Sequence, residues 1–308
     1  MQLKILTGLL TGLVVSASTT ALFCQPSRAG NNNFFCGTLP YISTGILNPE
    51  PVFNERILIN TSVRLLASAQ VDVGVKVSSS SVATDPKAEA FFIQGNDNYE
   101  KGDYQGAIAA YSQAIVLNPN YVEAYNRRGN ARRALGDNKG ALADYNAALR
   151  INPNYHTAYY NRGVVRSELG DNKGAVADYT EAVRINPNYA DAYHNRGSVR
   201  SDLGDNKGAV ADFNEALRIN PNFALAYYDR GMARVRLGEF QGAIADYSEV
   251  LRIIPNFATG YQNRGFARLD SGDKPGAIQD FQKAADIYQQ RGDKDSYEKA
   301  INILRRLQ

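Results

Sequence analysis

The chain has 308 residues, a formal net charge of +3 and 44% hydrophobic residues. That is room for one or two globular domains, with no strong drive toward nucleic acid or an anionic membrane. Its two cysteines, Cys24 and Cys36, both lie near the N-terminus, so disulfides cannot staple the rest, which must be held by packing.

Residues 1–29 have the three-part layout of a secretory signal. Lys4 is followed by an apolar run from Ile5 to Phe23, and Ser27 and Ala29 are small residues one apart. Cleavage is expected after Ala29. Phe23 precedes Cys24, where a lipobox needs a small residue. The alternative is an uncleaved membrane anchor over residues 5–23. Residues 30–87 read as a linker, mostly irregular, with strand character from Val52 to Leu66 and from Val71 to Val77, enough for one hairpin. After cleavage Cys36 is a single thiol, either tolerated or paired with a second chain.

From residue 88 a period of 34 takes over. Pro119, Pro153, Pro187, Pro221 and Pro255 keep this step, as do Gly95 to Gly265, Gly102 to Gly272 and Ala107 to Ala277. Fixed periods of this length mark helical repeat arrays. In residues 156–189, Tyr159, Gly163, Val164 and Arg166 belong to a first helix, which Gly170 closes in the left-handed conformation. Asp171 caps a second helix that carries Ala175, Tyr179, Ala182 and Ile185 on one face. Pro187 ends it, and Asn188 is expected to cap the next. The units are 88–121, 122–155, 156–189, 190–223, 224–257 and 258–291. Residues 292–308 read as a capping helix, with Tyr297, Ala300, Ile301 and Leu304 inward.

These columns resemble tetratricopeptide repeats, in the Asn-Arg-Gly variety frequent in bacterial, notably cyanobacterial, proteins. The resemblance covers residues 88–291. The first unit departs from it with Phe91, Gln94 and Asn98, and the sixth has Gln289 in place of proline. It implies an all-α fold: a right-handed α-solenoid of six helix-turn-helix repeats plus the C-terminal capping helix. It also implies a non-enzymatic scaffold for a protein or peptide partner, without cofactors. With the signal segment, it points to the periplasm, thylakoid lumen or extracellular space. Membrane association follows only if the signal is uncleaved. A structural or self-associating subunit of an envelope or thylakoid assembly is the alternative.

Where the family usually has apolar residues, ten arginines stand in two columns: Arg128, Arg162, Arg196, Arg230 and Arg264, then Arg132, Arg166, Arg200, Arg234 and Arg268. Asp144, Asp178, Asp212, Asp246 and Asp280 form a matching column in the second helices. The first unit lacks both, so each aspartate is expected to pair with an arginine of its own or the next unit. A basic stripe for acidic ligands is the competing reading. The resemblance implies a concave groove lined by the first helices, with partner-binding candidates Asn126, Asn130, Tyr160, His194, Tyr228, Met232, Val235, Phe266 and Leu269. Phe266 and Leu269 have the alternative of packing under the capping helix. The chaperone-tail clamp of some relatives lacks its lysine here. Only two histidines exist, His156 and His194, and no phosphate loop or Cys-x-x-Cys is present, so neither catalysis nor a metal is expected.

Overall fold

The computed structural model describes residues 85–307, together with two short N-terminal strands. The chain divides into two compact units, residues 1–52 and 53–308. In the first, β1 (Cys24–Gln25) pairs antiparallel with β2 (Phe35–Cys36), placing Cys24 opposite Cys36 along the backbone. Most of the signal segment, the expected hairpin and most of the linker lie outside the described residues. Among those residues, no helix is long and apolar enough to cross a membrane.

The second unit is a succession of helices. Six pairs follow one another: α1 (Pro86–Glu100) with α2 (Tyr104–Leu117), α3 (Val122–Ala134) with α4 (Asn138–Ile151), and α5 (His156–Glu168) with α6 (Asn172–Ile185). Next come α7 (Ala190–Asp202) with α8 (Asn206–Ile219), α9 (Ala224–Arg236) with α10 (Phe240–Ile253), and α11 (Ala258–Asp270) with α12 (Lys274–Arg291). α13 (Lys294–Leu307) closes the series. Each first helix packs on the second helix of its unit, and each second helix on the first helix of the next. This is an α-solenoid, in which each hairpin buries its apolar stripe against its neighbours.

Local chemistry accounts for the hairpins. At Gly170 the backbone takes φ +81°, which glycine alone adopts without a Cβ penalty. One residue on, the Asp171 carboxylate accepts the Gly174 N–H at 3.0 Å, satisfying a free donor of α6. Inside α5, Gly163 lies against the Tyr179 ring, where an added Cβ would fall 2.8 Å from Cε1. A small residue there sets how closely the two helices approach.

The expected cap at Asn188 is corrected. The residue before α7 is Tyr189, which makes no side-chain cap bond, while Asn188 donates its N–H to Asn186 Oδ1 at 3.1 Å. The amide of Asn186 organises the turn between units, and the aromatic ring of Tyr189 packs against His156 and Tyr160. At the far end the missing proline lets α12 run for 18 residues to a left-handed Gly292. α13 then buries Ala300 and Leu304, with Ile301 packed against the cluster of Ala277, Phe281 and Leu304.

The fifth unit carries Glu239 where the others have aspartate. Its side chain makes no cap bond, and Arg234 Nε beside it finds no hydrogen-bond partner. Glu239→Asp should restore the cap, worth about 1 kcal/mol, and raise the melting temperature by about 2–4 °C. An unchanged melt would show that the extra methylene is harmless.

Candidate functional site

The Arg–Asp columns come together within each unit. Asp144 sits with its side chain 3% exposed. It accepts Arg128 Nε at 3.0 Å and Nη2 at 2.7 Å, and Arg132 Nη1 at 2.8 Å. The same three-bond pattern joins Arg162 and Arg166 to Asp178, Arg196 and Arg200 to Asp212, and Arg230 and Arg234 to Asp246. In the sixth unit Arg264 holds Asp280 with Nε and Nη2, and Arg268 Nη1 lies 2.9 Å from it. Both arginines of a unit therefore take the aspartate of that same unit.

The first arginine of each pair does more. Arg162 lies over the Tyr159 ring at 5.4 Å and donates Nη1 to Asn146 Oδ1 of the preceding unit at 2.6 Å. Ser112, Thr180, Asn214 and Ser248 receive the equivalent bonds from Arg128, Arg196, Arg230 and Arg264. One guanidinium thus ties two helices of its own unit to the second helix of the one before. This polar column, Ser112 through Ser248, was missed in the sequence because its residue types vary. Its constant 34-residue step was the available signal.

The groove candidates divide. Asn126 is 2% exposed, His194 6% and Tyr228 0%. These are not an open lining, which corrects the expectation for them. His194 and Tyr228 each occupy the space between their unit's second helix and the aromatic residue that closes the unit. His194 lies 5.7 Å from Phe213 and 4.9 Å from Phe223, and Tyr228 lies 5.9 Å from Tyr247 and 5.6 Å from Phe257. Tyr160, half-buried, sits likewise between Tyr179 and Tyr189.

A second ladder runs through this row. Asn161 donates to Asn126 Oδ1 at 3.0 Å, and Asn195 donates to the Tyr160 hydroxyl at 3.1 Å. His194 Nε2 meets Asp229 Oδ2 at 2.9 Å, and Asn263 donates to the Tyr228 hydroxyl at 2.9 Å. Every rung joins residue i to i+35, one step beyond the period, so a column-by-column reading does not reveal it. Asn130 is half-buried and accepts the Tyr145 hydroxyl at 2.8 Å. Phe266 and Leu269 pack with Phe281, Leu304 and Ile301 under α13, following their alternative. Met232 and Val235 stay partly exposed on α9.

Electrostatics follow burial. Desolvation pushes the Tyr111 hydroxyl up to about 12 and raises those of Tyr145, Tyr179 and Tyr247, so these phenols keep their protons. Among the described residues no His/Cys/Asp/Glu group is arranged to hold a metal ion.

With that geometry in hand, family models match consecutive segments. The TPR repeat model matches residues 95–133, 129–170, 165–204 and 199–238, and the tetratricopeptide repeat model matches 224–257. The chain belongs to the tetratricopeptide repeat family. Solved structures agree. The crystal structure of YrrB, described as a TPR protein with an unusual peptide-binding site, is 25% identical, with a TM-score of 0.56 over 63% of this chain and 98% of its own. MamA is 26% identical, with a TM-score of 0.53 over 56% of this chain and 94% of its own. The C-terminal part of a TPR repeat-containing protein from Cytophaga hutchinsonii shares the fold at 21% identity, with a TM-score of 0.60 over 68% of this chain and 84% of its own. No curated protein matches the chain. Membership makes this tetratricopeptide repeat protein a non-enzymatic scaffold for protein interaction.

Two predictions test the site. Removing the Asp178 carboxylate strands two guanidinium groups. Asp178→Ala should therefore cost about 3–5 kcal/mol in chemical denaturation, and an unchanged midpoint would show that the ladder carries no stability. His156 opens α5 with its ring edge-on to Tyr189 at 5.5 Å, and burial holds it below the ordinary histidine value. The folded chain then binds this proton less readily than the unfolded one, so stability falls as pH drops through about 6.5. His156→Phe should remove that share of the acid sensitivity, measured as melting temperature against pH.

Proposed function

We propose that the face formed by the first helices holds an extended peptide or partner segment, with Met232 and Val235 as its apolar contact. The observation that carries this is the state of that face. The i to i+35 rungs seal it between units, while Met232 and Val235 remain partly exposed on α9. A pre-ordered backbone row loses little conformational entropy when a segment is laid along it. Methionine adapts its shape to varied apolar partners. Asn130 and Tyr160, half-buried on the same helix row, add polar contact at the other end. The peptide-binding site for which YrrB is described supports the reading by likeness.

Met232→Glu puts a charge on the apolar contact without touching the ladders. Affinity capture with the tagged chain should lose its partners in this variant, while circular dichroism and melting stay at wild-type values. Undiminished capture by the folded variant would discard the groove.

A further inference from the structure

We propose that the partner segment is basic, its lysine or arginine side chains pairing with carboxylates at the ends of the first helices. This rests on the groove reading and adds the class of partner. The ten ladder arginines are already matched. Five second-helix aspartates hold both arginines of their unit, and the acidic residue opening each second helix lies within 4.0 Å of the second arginine. With these set aside, together with Asp191, Asp229 and the Arg133–Glu168 pair, which have partners of their own, the six first helices carry six acidic side chains against three Lys or Arg. The second helices carry four acidic against ten basic. The chain is weakly cationic overall, yet its first-helix row is acidic.

Four of those carboxylates stand where the fold disfavours them. Glu100, Glu168, Asp202 and Asp270 are the last residues of α1, α5, α7 and α11. A helix C-terminus presents its negative dipole end and favours cations. Glu168 is relieved by Arg133 at 2.6 Å. Glu100, Asp202 and Asp270 are exposed, and no cation among the described residues forms an ion pair with them. Partial desolvation also raises the Asp270 carboxyl above its ordinary value. Arg236, at the same place in the fifth unit, is turned onto Ser201 Oγ at 2.6 Å. At the opposite ends, Glu89 and Glu123 occupy the first turns of α1 and α3. A cationic segment laid along the row meets carboxylates on both sides and cancels the charge–dipole conflict on one.

The test uses the full chain and three labelled peptides of one length and apolar content, rich in lysine, glutamine or glutamate, followed by fluorescence anisotropy. The lysine peptide should bind about tenfold tighter than the glutamine peptide and weaken as salt rises. The triple variant Glu100→Gln, Asp202→Asn, Asp270→Asn should lose that preference while melting at or above wild type. Equal binding of all three peptides, or an unaltered lysine preference in the triple variant, overturns the basic partner and leaves the groove standing. Failure of all three to bind removes both. A doubled mass in light scattering that the lysine peptide does not reduce assigns the row to a second copy of the chain instead.

Discussion

The array depends on one guanidinium in each of its second to sixth repeats. The arginine represented by Arg162 closes a bidentate pair on the buried Asp178, lies over Tyr159 and reaches back to Asn146. Alone, either charge would be costly to bury. Together with Arg166, the group satisfies the carboxylate from both sides, and the bidentate geometry fixes the angle between the helices as well as their distance. Because the third contact crosses to the preceding unit, the same side chain passes that geometry along the array. An apolar residue at this place could supply packing but no direction.

Around this staple the aromatics act as spacers. Tyr179 fills the notch left by Gly163, and the ring that closes a unit lies over a side chain of that unit's first helix, as Phe223 does over His194. The inner ladder then completes the floor. Asn126 with Asn161 and His194 with Asp229 are buried and mutually bonded, so they give register between units rather than ligand contact. The α9 side chains Met232 and Val235 stay partly exposed, and Glu100, Asp202 and Asp270 at helix ends are exposed. The division follows from a general rule, that buried polar groups must be satisfied inside while exposed ones are free to be satisfied by something else.

In such a stack each unit meets only its neighbours, so stability is close to a sum of unit and interface contributions. Among the described residues, the first and last repeats each meet another repeat on one side. α1 lies in a unit without the ladder arginines and leaves Ile93 51% exposed. At the other end α13 supplies the missing neighbour, drawing in Phe266 and Leu269. The apolar candidates of the last two repeats therefore divide, with Phe266 and Leu269 in a capping contact and Met232 and Val235 partly exposed one unit earlier.

The repeat, its hairpins and the pairing of charge columns were legible in the residues, because each depends on chemistry local to one unit. Gly170 needs its left-handed turn and Asp171 its neighbouring N–H whatever the stack does, and Arg162 lies one helix away from Asp178. The bonds of Arg162 to Asn146 and of His194 to Asp229 were not legible. They join residues of different units, the first through a column whose residue types vary and the second at a 35-residue step, and only the stacking of hairpins brings them within bonding distance. The same stacking buried Asn126, His194 and Tyr228, since whether a first-helix side chain faces a groove or a neighbour is set by the angle between units, a property that no one repeat contains.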